Sequence, residues 1–283
     1  MLENPIAIPL PFFLPSNPGK IFAVYHRPGG AVEPWGNVLI VPAFNEEMNR
    51  CRSMVTLQAQ ALAQRGVGTL VIDLYGTGES DGEHGDARWD TWISNVHQGI
   101  EWLDTQPGGC VALLGIRLGV PLTLNALQQD KKKRAIIAWQ PVVDGKTYLT
   151  QFMRMKIAAN MDRSDIPKET TSGMRAQLAE GKCIEVAGYE IHPELAMAVE
   201  NLRLSELIPQ ESTAVTWFEK GGEAESTFSP ASEKFLGSWR QTGRYAEAVL
   251  FEGPAFWALH DRFLAPDLVK KTSDRIHLLQ SKK

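Results

Sequence analysis

Short apolar runs recur along the chain, separated by longer stretches in which apolar residues return every three or four positions. The first pattern predicts strands buried on both faces and the second predicts amphipathic helices. Their alternation points to a mostly parallel central sheet flanked by helices, an α/β fold. The predicted strands are Ile21 to His26, Val38 to Val41, Thr69 to Leu74, Val111 to Gly115, Ala135 to Trp139, Ala214 to Phe218 and Ala246 to Phe251. The clearest helix runs from Ala87 to Leu103, where Trp89, Trp92, Ile93, Val96, Ile100 and Leu103 share one face, which assigns the tryptophans to the core. A second helix runs from about Met48 to Arg65 and stops at Gly66.

From Asp144 to about Glu211 the rhythm changes. No strand-like run is visible, and helices are expected near Thr147 to Met161, Gly173 to Glu180 and Pro193 to Leu204. The segment therefore reads as a helical cap inserted into the sheet domain, dividing the chain into a first core part (1–143), the cap (144–211) and a second core part (212–283). Phe152, Met153, Met155, Met161 and Met174 supply the apolar side chains expected to fill the seam between cap and sheet.

Composition narrows the function classes. The 283 residues are 43% hydrophobic and 22% charged, enough apolar material for a substantial core. A net charge of −4 gives no field to attract nucleic acid or anionic lipid, so neither partner is expected. Cys51, Cys110 and Cys183 form no metal-ligand or disulfide pattern, which points to a reducing cytoplasm with no metal or other cofactor. Glu3 and the prolines at 5, 9, 11, 15 and 18 argue against a signal peptide, and no apolar run reaches the ~20 residues of a membrane span, so a soluble, non-membrane protein is expected.

Three motifs carry chemistry. Val38-Leu-Ile-Val-Pro-Ala-Phe-Asn45 resembles the third strand of an α/β-hydrolase and its following loop, whose backbone N–H supplies half an oxyanion hole. Asp73-Leu-Tyr-Gly-Thr-Gly-Glu-Ser80 resembles the turn after the next strand, with Ser80 in a capping role. Val111-Ala-Leu-Leu-Gly-Ile-Arg-Leu-Gly119 stands where that fold carries its G-x-S-x-G nucleophile elbow. Gly115 and Gly119 provide the room such an elbow needs. Arg117 occupies the serine position, and a permanently protonated guanidinium cannot accept an acyl group.

The remaining triad positions are altered as well. The resemblance places the histidine after the last strand, where Gly253-Pro-Ala-Phe-Trp257 carries Phe256 instead. His260 lies four residues on, one turn along an expected helix. Glu219, Glu223 and Glu225 follow the preceding strand and are read as surface carboxylates. Taken together, Phe44-Asn-Glu-Glu-Met-Asn49, the Arg117 elbow, Trp139-Gln-Pro-Val-Val-Asp-Gly145 and Val186-Ala-Gly-Tyr-Glu190 resemble the second of the two families of α/β-hydrolase-like proteins associated with the exosortase A system. The resemblance spans from about Pro11 to the C-terminal helix. It implies a cytoplasmic bacterial protein whose locus serves exopolysaccharide production and the sorting, by export or anchoring, of proteins with a PEP-type C-terminal signal (PEP-CTERM).

In that fold Arg117 sits beside the backbone N–H groups of Phe44 and Leu118 at a helix N-terminus, an anion-receptive place. Two occupants compete: an internal carboxylate, Glu46 or Glu47, or the anionic group of a small-molecule or peptide ligand. Two functions follow. One is hydrolysis of an ester, thioester or amide by activated water, with Glu46, Glu47 or His260 as base and Arg117 with the two amides holding the oxyanion. The other is a noncatalytic pseudohydrolase that binds an anion, a partner protein or a second copy of itself.

Overall fold

The computed structural model describes residues 8–29, 32–161, 168–211, 213–221 and 227–282. In chain order the first elements are β1 (Leu10–Leu14), β2 (Ile21–His26), β3 (Gly36–Val41), α1 (Glu46–Ala63), β4 (Val67–Ile72), α2 (Trp89–Asp104), β5 (Cys110–Ile116), α3 (Gly119–Ala126) and β6 (Ala135–Trp139). Next come α4 (Gly145–Ala159), α5 (Thr171–Ala179), β7 (Ile184–Val186), β8 (Tyr189–Ile191) and α6 (Pro193–Asn201), then β9 (Val215–Lys220), α7 (Pro230–Gln241), β10 (Ala246–Phe251) and α8 (Pro266–His277).

Eight strands form one sheet in the order β1-β2-β4-β3-β5-β6-β9-β10. β2 runs antiparallel to both β1 and β4, and every pair from β4 to β10 is parallel. This is the α/β-hydrolase topology. The apolar run in β3 follows from its central place: Val38 and Ile40 pack into the layer beneath α1 and α8, while Leu39 and Val41 pack into the layer beneath α2 and α3. Successive side chains point to opposite faces, so a strand covered on both sides has no polar alternation. Trp89 and Trp92 lie in the core, as the helix pattern predicts.

Two elements depart from expectation. β1 forms at the sheet edge although Pro11 interrupts it, because an edge strand can lose an N–H donor without breaking a second ladder. The segment between β6 and β9 is mostly helical but also holds the antiparallel hairpin β7–β8. Its strands are three residues each, too short for an alternation signal, and its turn uses Ala187 and Gly188 at φ 53° and 84°. The methionines divide: Met153 and Met174 are buried, whereas Met155 and Met161 are exposed.

Candidate functional site

The sheet's carboxyl ends converge on the turn between β5 and α3. Arg117 there has φ 53°, a left-handed conformation rare for a side chain of this size. Its backbone is held on both sides: its N–H donates to Trp139 O, and its carbonyl accepts from Val120 and Val142 N–H. The flanking glycines are required by close backbone approach. A Cβ on Gly119 would lie 2.5 Å from the carbonyl oxygens of Val41 and Pro42, and one on Gly115 would lie 2.7 Å from Gly119 O. The elbow geometry is thus complete around a side chain that is no nucleophile.

The guanidinium is tied inward at two points. Nε donates to Glu47 Oε1 at 3.1 Å, and Nη1 donates to Gln140 O at 3.1 Å. Glu47 also accepts from Tyr148 Oη at 2.8 Å through its other oxygen. Burial pushes the Tyr148 hydroxyl well above the usual phenol range, with the Glu47 charge acting in the same direction. The Tyr148 and Trp257 rings lie 5.8 and 5.5 Å from the guanidinium carbon. Arginine carries five N–H donors, and the contacts with Glu47 and Gln140 use two of them, so three remain among the described residues. The Phe44 and Leu118 amides likewise donate to no acceptor among the described residues, although both residues are buried.

Above Arg117 is a cavity of about 350 Å³. Phe44, Glu46, Glu47, Arg50 and Trp257 wall it from the core, while Tyr148, Gln151, Phe152 and Met155 wall it from α4. Glu46 does not pair with Arg117: Oε1 accepts from Tyr189 Oη of β8 at 2.9 Å, and Tyr189 accepts in turn from Asn49 Nδ2. Burial, followed by the Glu46 carboxylate, raises the Tyr189 hydroxyl to about 12. Two consecutive carboxylates at the start of α1 thus each hold a tyrosine from the segment between β6 and β9.

The other candidates fall elsewhere. His260 is exposed in a bend and outside the cavity wall, because no helix begins after Gly253 until Pro266. Phe256 is 1% exposed and packs edge-on against Trp139 and Trp257. Glu219 is buried rather than at the surface, since it lies in the interior strand β9, where Oε1 accepts the N–H of Ser229 at the start of α7. Glu223 and Glu225 lie outside the described residues. Ser80 fastens the turn, donating to Asp73 O and accepting from Phe22 N–H. Cys51 is buried below the site, and burial pushes its thiol far up.

Sequence reasoning missed Tyr148, Gln140, Trp257 and His84. For Tyr148 a signal existed: residues 148, 151, 152 and 155 follow the spacing of one helix face, and all four line the cavity. His84 joins two regions, with Nε2 2.5 Å from Asn45 Oδ1 and Nδ1 2.6 Å from Glu190 O of β8. Its ring also packs on Phe44 and Tyr189.

The family described as serine aminopeptidase, S33, matches residues 32–179, more than half of the chain. Among solved structures, Est1E from Butyrivibrio proteoclasticus with ferulic acid bound superposes with a TM-score of 0.66 at 17% identity, covering 96% of this chain and 100% of that one. The alpha/beta hydrolase GrgF from Penicillium sp. sh18 superposes with a TM-score of 0.62 at 17% identity, covering 97% and 98%. Polyketide transferase ATR5 of Stachybotrys chlorohalonatus (strain IBT 40285) is 33% identical over 85 residues. That similarity spans 29% of each protein.

Proposed function

This chain belongs to the serine aminopeptidase S33 family of α/β-hydrolases, and from that membership we propose that it uses the hydrolase frame to bind an anionic small molecule without cleaving it through a serine. One observation carries the proposal: the elbow holds a cation with three uncommitted N–H groups beside the unpartnered Phe44 and Leu118 amides. In a hydrolase those amides meet a negative charge only in the transition state. Beside a permanent guanidinium they suit an anion in the ground state. A base is also poorly provided, because both Glu47 oxygens already accept and Phe256 is packed among aromatic rings.

In the same reading residues 144–211 serve as a cap over the pocket, with 1–143 and 212–283 forming the core. The resemblance to the exosortase A-associated family supports a cytoplasmic role beside exopolysaccharide production and PEP-CTERM protein sorting. The competing reading is water-mediated hydrolysis of an ester, thioester or amide. It draws support from the same two amides and from Glu46 in the cavity wall.

Turnover of chromogenic esters and acyl thioesters by the wild type separates the two readings. We expect no release above buffer. Release that disappears in Arg117→Met would overturn the binding function and establish the hydrolytic one.

A further inference from the structure

Resting on the anion-binding reading, we infer that the ligand is a monocarboxylate with a flat apolar body, its two oxygens held end-on by the Nη1 and Nη2 groups of Arg117 while Glu47 stays in place. The donor geometry supports this class. Glu47 takes Nε, and Gln140 O takes one N–H of Nη1, so the unused donors are the second N–H of Nη1 and both of Nη2. One N–H from each of these nitrogens makes up the end-on edge of the planar group when Gln140 takes the Nη1 hydrogen that points back toward Cδ, and a planar two-oxygen acceptor matches that edge with two parallel hydrogen bonds. With Tyr148 and Trp257 near the guanidinium and Glu47 holding Nε, the fork is ordered before a ligand arrives.

Charge selects against a dianion. Arg50 and Arg117 in the cavity wall are offset by Glu46 and Glu47, so the wall sums to zero. A single negative charge is matched by the uncommitted N–H groups of Arg117, whereas a second would face Glu46 and Glu47, with Arg50, whose Nη1 already donates to Ala258 O, as the wall's other cation. Arg50 donates to Ala258 O and makes no ion pair among the described residues.

The body of the ligand is set by the remaining surface. Phe44, Phe152, Met155 and Trp257 give an apolar lining, and about 350 Å³ is near the lower end of small-molecule pockets. An aromatic ring with a short linker to the carboxylate suits both the volume and the ring-lined walls.

The test is a ligand series on the wild-type protein, read by isothermal titration calorimetry, with 3-phenylpropanoate, 3-phenylpropanamide, phenylphosphonate at a pH where it is doubly charged, and acetate. The acid should bind at least tenfold more tightly than the amide and the phosphonate, and acetate should be weaker for want of a body. Arg117→Lys should weaken the acid at least tenfold while circular dichroism stays unchanged, because a point charge cannot reproduce the fork. Equal binding of acid and amide would overturn the carboxylate assignment. Tighter binding of the phosphonate would also overturn it, yet would leave the anion-binding function standing. Absence of binding by every anion overturns both, and the ester turnover assay then reports whether hydrolysis replaces them.

Discussion

Glu47 and Arg117, 70 residues apart in sequence, form an ion pair with side chains 18% and 15% exposed, at the place where the fold presents its reacting group. Removing one partner leaves the other charge largely desolvated, and the cost of that exceeds the value of the pair itself. Glu47→Ala should lower stability by about 2 kcal/mol, discounted from the fully buried case because both groups keep some solvent. Glu47→Ala combined with Arg117→Ala should cost less than the sum of the singles, measured by urea denaturation. Additive losses would mean that the pair is not coupled.

Two glycines offer a contrast set by backbone approach. Gly119→Ala puts a methyl 2.5 Å from two carbonyl oxygens, and neither β3 nor its following loop can retreat without breaking the sheet. A loss of about 3 kcal/mol or more is expected, at the level of severe core disruption. Gly237 lies inside α7 with nothing near its Cβ position, so Gly237→Ala should stabilise by roughly 0.5–1 kcal/mol through helix propensity. Thermal melts of the two variants should therefore move in opposite directions.

Much of this architecture was legible in the sequence, and the reasons differ by element. The apolar runs of β3 to β6 and the single face of α2 are local patterns, and the elbow glycines mark a turn that side chains would block. The two-carboxylate ambiguity at Arg117 was also visible, since Glu46 and Glu47 are adjacent. What was hidden is long-range. Tyr148 reaches Glu47 across 101 residues and Tyr189 reaches Glu46 across 143, and these two contacts decide which carboxylate faces the arginine. β1 escaped notice because Pro11 reads as a breaker, and the β7–β8 hairpin because three-residue strands carry no period.

Restoring a serine should not restore a hydrolase. In Arg117→Ser the hydroxyl would stand on the strained elbow, yet Phe256 offers no proton acceptor and His260 is exposed outside the cavity wall. Serine has little nucleophilicity without an adjacent base. The variant should therefore label with a fluorophosphonate no faster than wild type, as followed by intact mass. Rapid stoichiometric labelling of Arg117→Ser alone would show that a working base faces the elbow after all.

Stability should fall as the pH drops below about 6.5, and His84 is one source of that loss. Its ring lies between the loop that carries the Phe44 amide and the β7–β8 hairpin. Burial lowers its pKa below the usual histidine value, outweighing the Glu190 carbonyl and carboxylate, which act the other way. His26, buried on β2, is lowered for the same reason. A group with a depressed folded-state pKa binds fewer protons in the native state than in the unfolded one, so its contribution is complete above the unfolded pKa and is lost as pH falls through the folded value. In the neutral His84 ring, Nδ1–H donates to Glu190 O, and Nε2 becomes an acceptor that Asn45 Nδ2, otherwise buried without a partner, can serve once the amide turns over. Protonation reverses that demand and adds a half-buried charge between the hairpin and the Phe44 loop. The thermal midpoint of the wild type should decline between pH 7 and 5, and His84→Gln, which keeps a donor and an acceptor but cannot titrate, should decline less steeply. Identical slopes for the two proteins would remove His84 as a source of the pH dependence.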